Sequence, residues 1–211
     1  MISVILSQPT GVDKSCQASW TMPNFTILTN QTANQPQYNY QRVGLDGTSS
    51  QCNALLQGGT FAMYKSNTLS YGFWYEFYPT GPTLMGSPTL SPGDNVFVQV
   101  VATSITTGTV YVENTTTEKT RTINLTAPSG SKLCQTAVEW IEENPNTSKK
   151  AFLTFSNFFF NECYAEDSNG KVYDLTGSQG RTLSSSSAGQ QCHPSNAQGS
   201  SVQIIYDGPT N

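Results

Sequence analysis

The stretch NVFVQVVATSI, Asn95 to Ile105, alternates Val96, Val98 and Val100 with Phe97, Gln99 and Val101. A period of two puts the two sets on opposite faces of a pleated strand, a division that helical spacing does not produce. The pattern returns in GTVYVENTTT, where Val110 and Val112 alternate with Tyr111 and Glu113, and in SVQIIYDG, where Val202, Ile204 and Tyr206 share a face. PTGPT, SPGD, APSGS and DGPTN supply turn chemistry between such runs. The segment TSKKAFLTFSNFFFNECYAED fits helical spacing through Phe152, Phe155 and Phe159, but its run FLTFSNFFF favours strand, and strand is expected. Many short strands must bury their apolar faces against one another, so the expected fold is all-β, a two-sheet antiparallel β-sandwich. No linker divides the 211 residues, so one domain spanning 1–211 is expected. Its exception is a low-complexity Ser-rich loop at about 177–200, mobile and anchored by Cys192.

Composition narrows the setting. Charged residues make up 11% of the chain, well under the roughly 25% of an average soluble domain. A surface of Thr, Ser, Asn and Gln stays polar at any pH, and few carboxylates are there to be protonated, so an acid-tolerant protein is expected. A net charge of −4 without clustered Lys and Arg argues against nucleic acid as a partner. Asn-X-Ser/Thr sequons begin at Asn24, Asn30, Asn114, Asn124 and Asn146, and these glycosylation candidates point to a secretory route. Five cysteines agree with that setting, although an odd number leaves one thiol over. MISVILSQP has too short an apolar run, and no basic flank, to be a signal peptide, so a secreted chain would have to lack its leader here. No apolar run is long enough to span a membrane as a helix. A monomer is expected.

Several chemistries are hard to build from these residues. The one histidine, His193, lies between Cys192 and Pro194 in the Ser-rich segment, where a surface role is expected. A single His and no C-x-x-C spacing leave no zinc motif, so neither metal nor cofactor is expected. Neither Asp-Thr-Gly nor Asp-Ser-Gly occurs, which removes paired-aspartate proteolysis. Carboxylate chemistry remains. In AVEWIEENP, Ala137, Glu139 and Ile141 share one face and Val138, Trp140 and Glu142 the other, so Glu139 has apolar neighbours that raise its pKa. In YGFWYEFYP, Trp74, Glu76 and Tyr78 face one way and Phe73, Tyr75 and Phe77 the other, as expected where one face lines a core and one a groove. Alone, either acid could merely sit at a sheet edge. In CNALLQGGTFAMY, Gln57 ends an apolar run beside Gly58 and Gly59, offering an uncharged donor where backbone and ligand can approach closely.

RVGLDG (Arg42 to Gly47), Cys52, ALLQGG, YGFWYEFYP, SPGD, Cys134 and VEWIEE stand in the order and spacing of the eqolisins, the glutamic peptidases, which this chain resembles from about Ser19 to Phe160. The resemblance implies a lectin- and glucanase-like (concanavalin A-like) sandwich and a secreted fungal-type enzyme that cuts proteins or peptides in acid. It places the catalytic glutamine on Gln57 and the catalytic glutamate on Glu139. Asp46, Trp74 and Glu76 fall on positions that line or support the site, and Tyr78 shares the face of Trp74 and Glu76. The chain departs from the family pattern at Arg42, where a Trp is usual, at Gly72 in place of Asp, and at Phe77 in place of a second Trp.

In the mechanism this implies, Glu139 activates water and Gln57 stabilises the oxyanion. Glu76, if close to Glu139, would form a coupled carboxylate pair with it and set the alkaline limb. Two alternatives stand beside it: a glycoside hydrolase using Glu76 and Glu139 as acid and nucleophile, and a non-catalytic binding module on the same fold, favoured by Arg42 and Gly72. Cys52 and Cys134 each lie five residues before a candidate catalytic position, so a Cys52–Cys134 bond is expected to tether the two segments. Cys163 and Cys192 would then pair and Cys16 stay free.

Overall fold

A computed structural model describes residues 2–7, 13–28, 36–47, 52–145, 153–182 and 191–209. Among them are seventeen strands and no helix. The first six are β1 (Ile2–Ser7), β2 (Asp13–Thr21), β3 (Phe25–Thr26), β4 (Gln37–Asp46), β5 (Leu55–Lys65) and β6 (Thr68–Tyr78). Next come β7 (Thr83–Leu84), β8 (Asn95–Ala102), β9 (Thr107–Asn114), β10 (Lys119–Thr126), β11 (Ala137–Glu143) and β12 (Thr154–Phe155). The last are β13 (Phe158–Asp167), β14 (Val172–Tyr173), β15 (Gln179–Thr182), β16 (Cys192–Pro194) and β17 (Val202–Tyr206). One sheet runs β15-β1-β11-β4-β5-β6-β7, the other β10-β9-β8-β2-β13-β17-β16 with β14 against β13, and β12 pairs with β3 apart from both. The Phe-rich segment is thus strand, as its β-branched and aromatic content favours.

Period two builds the core. Val43, Leu45, Leu56, Phe73, Phe77, Val138 and Trp140 of the first sheet meet Ala18, Trp20, Val98, Val100, Val110, Val112 and Phe160 of the second in one apolar cluster. Two indoles tie the sheets across this layer. Trp140 Nε1 donates to the Gln17 carbonyl at 2.8 Å, and Trp20 Nε1 to Thr60 Oγ1 at 3.1 Å. Thr60 passes a bond on to Gln41, and Gln41 and Asn39 donate to the carboxyl of Glu142, which is fully buried. Burial holds the Glu142 carboxyl well above the usual carboxylate range. The two glycines after Gln57 serve packing within the protein. A Cβ on Gly58 would strike Val110 of the opposite sheet, and one on Gly59 the Gln41 carbonyl of β4. Gly72 has a similar cause: it lies across from Phe61, and a Cβ there would lie 2.9 Å from the ring.

Other expectations need correction. Cys52 and Cys134 are joined, 82 positions apart in sequence. Cys163 and Cys192 are not; both are buried free thiols, as is Cys16. Cys163 lies on β13 and Cys192 on β16, with β17 between them. Two strand spacings, about 9 to 10 Å, exceed what a disulfide can bridge. The Ser-rich segment is also more ordered than a loop, because β15 and β16 lie within 177–200; its residues 183–190 fall outside the described ones. His193 sits on β16 with Nδ1 2.6 Å from Asp207 Oδ2. Among the sequons, Asn24 and Asn124 are exposed, while Asn30 and Asn146 lie outside the described residues. Asn114 is no acceptor: it is fully buried, and its amide nitrogen donates to Thr89 O and Asp94 Oδ2 while its oxygen accepts from the Thr116 amide.

The disulfide joins the segments that lead into β5 and β11, and its contribution can be tested directly. Converting Cys52 and Cys134 to Ser should lower stability by about 4 to 5 kcal/mol in the chain-entropy account of so long a loop. Denaturant unfolding of the paired and double-Ser proteins at one acid pH measures it.

Candidate active site

Strands β11, β4, β5 and β6 are neighbours, and their register puts four residues in one row. Glu139 lies opposite Gly44, Gly44 opposite Gln57, and Gln57 opposite Glu76. Directly opposite residues point to the same face of a sheet, so three polar side chains stand in line on the face away from the core. Gly44 contributes no side chain to the row between Glu139 and Gln57, and the Arg42 guanidinium lies over it. The next row runs Ile141, Arg42, Gly59 and Trp74. There Trp74 stacks on Tyr40 with ring centroids 4.5 Å apart, and Phe61 packs with them as an apolar wall. Trp74 Nε1 donates to Thr60 O at 3.0 Å, which fixes the indole against β5. Tyr78 ends β6 two residues beyond Glu76 and is 51% exposed.

Glu139 is 2% exposed and its partner is unexpected. Arg42 Nη1 lies 2.9 Å from Glu139 Oε2, and Arg42 Nε lies 3.4 Å from Glu143 Oε1. The guanidinium folds over Gly44; a Cβ there would lie only 2.9 Å from Nη1. Burial raises the Glu139 pKa above the usual carboxylate range, and the nearby Arg42 charge opposes it. Gln57, 4% exposed, donates through Nε2 to Glu76 Oε2. Burial also raises Glu76, against the pull of that hydrogen bond and of Arg42. Glu76 and Glu139 therefore do not form the direct pair expected from sequence. They stand three strands apart, about 14 Å at Cα, each with its own partner.

Asp46 supports the site from behind. It closes β4 in the left-handed region, at φ 71°, followed by Gly47 at φ 95°. Its carboxylate accepts from the amides of Cys134, Gln135 and Thr136 at 2.8, 2.8 and 2.9 Å. It thereby fixes the backbone that enters β11 just ahead of Glu139. Asp13, at the start of β2, clamps the same turn: its amide donates to Gln135 O at 2.8 Å, and its carbonyl accepts from Gln135 Nε2. The Asp13 carboxyl is fully buried and neither oxygen has a hydrogen-bond partner. Burial, with Asp46 and Asp167 nearby, pushes its pKa up to about 7.

Sequence reasoning names Gln57, Glu139, Asp46, Trp74 and Glu76, and the fold brings all five to one region of one sheet. It misses the contact of Arg42 with Glu139. The signal was available, since Arg42, Gly44 and Asp46 alternate onto one face in RVGLDG. It also misses Asp13, whose burial depends on a distant turn. Among the described residues, no group of three or more His, Cys, Asp or Glu is placed to hold a metal ion.

Comparisons with known proteins bear on the family and the fold. The chain is 35% identical to aspergillopepsin-2 of Aspergillus niger over 132 residues, which is 62% of this chain and 46% of that protein. It is 35% identical to scytalidopepsin B of Scytalidium lignicola over 146 residues, 65% of this chain and 54% of that protein. It thus spans about half the length of the curated relatives it matches. The crystal structure of scytalido-glutamic peptidase with a transition state analog inhibitor superposes with a TM-score of 0.79 at 26% identity, covering 97% of this chain and 96% of that one. A family model described as the peptidase A4 family matches residues 4–206, and the chain belongs to that family.

Proposed function

We propose that this chain is a secreted acid endopeptidase, one domain using both sheets, in which Glu139 and Gln57 carry out peptide hydrolysis. The observation that carries it is the row Glu139–Gly44–Gln57, an acid and an amide on either side of a residue with no side chain. Membership of a peptidase family supports it, and the exposed sequons Asn24 and Asn124 suit a secreted chain.

The Arg42 guanidinium covers Gly44, so the attacking water would sit between the Glu139 oxygen turned away from Arg42 and the Gln57 amide once a substrate strand is bound. As a carboxylate, Glu139 takes a proton from that water, and the oxygen attacks the scissile carbonyl carbon. The carbonyl oxygen becomes an oxyanion, to which the Gln57 amide donates. Glu139 then returns the proton to the amide nitrogen as the C–N bond breaks, leaving a carboxylic acid and an amine. An uncharged donor suits this work, because it meets negative charge only as that charge develops. The Glu76 carboxyl orients Gln57 by accepting one of its N–H groups, and the Tyr40–Trp74 wall offers apolar surface to substrate side chains.

A glycoside hydrolase would need Glu76 and Glu139 facing each other across a sugar. Their separate partners, Gln57 and Arg42, speak against that. Casein and a xylan or glucan, each offered at about pH 2 to 4 with and without pepstatin, separate the two activities. Casein cleavage that pepstatin leaves untouched is expected; glycan hydrolysis without proteolysis would overturn the proposal.

A further inference from the structure

We propose that Arg42 is a positioning residue for Glu139: its guanidinium holds one carboxylate oxygen in place and keeps Glu139 ionised in acid, setting how far down in pH the enzyme works. This rests on Glu139 being the base. Arg42 is one of the positions at which the chain departs from the family pattern it resembles.

The geometry is that of a built pair. Arg42 is 4% exposed and Glu139 2%, so neither charge is compensated by bulk water. Nη1 meets Oε2 at 2.9 Å, while Nε reaches Glu143 at 3.4 Å, so one cation lies between two carboxylates. Room for the guanidinium depends on Gly44, and a side chain there would displace it from Glu139. A buried pair fixes both partners more firmly than an exposed one, because either left alone would be a desolvated charge.

The charges around Glu139 give the sign. Arg42 favours the ionised form; Glu143 on the same strand and Asp46 at the end of β4 disfavour it. Glu76 on β6 acts on Arg42. On the other side, β1, ISVILS, carries no titratable residue. Removing Arg42 removes the cation at 2.9 Å and leaves burial and like charge, so Glu139 must hold its proton to higher pH.

Two measurements on wild type, Arg42→Gln and Arg42→Lys test this. The first is the pH profile of kcat. At the acid pH where wild type is half-maximal, Arg42→Gln should turn over at least about fivefold slower relative to its own maximum, with Arg42→Lys between the two. The second is the ¹³C carboxyl shift of Glu139 against pH in glutamate-labelled protein, assigned through Glu139→Gln, which needs no turnover and also reports whether each variant is folded. A titration midpoint and an acid limb that move up together in Arg42→Gln support the proposal. An unmoved midpoint overturns it. So does a moved midpoint with an unmoved limb, and so does faster turnover at every pH, which would make Arg42 a plug in the site. A wild type that cleaves no peptide, with the midpoint still shifted by Arg42→Gln, would sink the peptidase assignment and leave the pairing intact.

Discussion

Glu139→Gln should reduce kcat on a peptide substrate at about pH 3 by roughly 10³- to 10⁴-fold, the loss expected when the group that moves the proton is gone. Gln57→Ala should cost about 10²- to 10³-fold, the usual effect of deleting one oxyanion donor. The two losses should not multiply. An oxyanion donor has nothing to stabilise if water is never activated, so the double variant should be no slower than Glu139→Gln by more than a few fold. The amide keeps the size of Glu139, and Arg42 retains Glu143, so the fold should survive the change. Near-UV circular dichroism at the assay pH checks that, and single-turnover kinetics of the three variants measures the rest. Turnover in Glu139→Gln within about tenfold of wild type would remove Glu139 from the mechanism.

Asp13→Asn should stabilise the protein at neutral pH and change little in acid. The Asp13 carboxyl is buried, has no hydrogen-bond partner on either oxygen, and has its pKa pushed up to about 7 by burial and by Asp46 and Asp167. In the unfolded chain it titrates near 3.9. Between those values the folded state holds a proton that the unfolded state has released, so stability falls as pH rises. Its contribution is intact below about pH 4 and is lost progressively up to about pH 7. An amide cannot ionise, so Asp13→Asn removes this loss. At about pH 7.5 the gain should be about 3 to 4 kcal/mol, or roughly 10 °C in unfolding temperature for a chain of this size. Glu139, Glu76 and Glu142 are raised as well, so the variant should still lose some stability with pH, only less steeply. Thermal unfolding of both proteins in steps from acid to neutral pH measures it. Equal slopes would show that Asp13 does not ionise in the folded protein.

Much of the fold was legible from period two. Val96, Val98, Val100, Val110 and Val112 are core because the sequence alternates, and turn residues mark where strands end. The candidate acid and amide were legible because AVEWIEE and ALLQGG match a family pattern. Physics alone could not have said that they share a row, since register between β11 and β5 runs through β4 and depends on Gly44 meeting both. The cysteines show the same limit. Spacing along the chain cannot reveal that β17 separates Cys163 from Cys192. Nor could a sequon reveal that Asn114 spends its amide on Thr89 and Asp94. Pair interactions between distant segments were hidden in each case, while face and period were not.

In the proposed mechanism, the row across four strands also dictates when hydrolysis can begin in the life of the chain. Gln57 and Glu76 sit on adjacent arms of a hairpin only 19 positions apart, so their contact can close early and cheaply. Glu139 arrives on β11, which must insert between β1 and β4, and the Asp46 contacts that seat it join segments 88 positions apart or more. Such non-local closure is the slow step of a β topology. A nascent chain therefore holds half a catalytic site, an oriented amide without its base, until most of both sheets has been made. In the proposed mechanism an unfinished copy therefore has no hydrolysis to perform until β11 is seated between β1 and β4 and brings Glu139 with it.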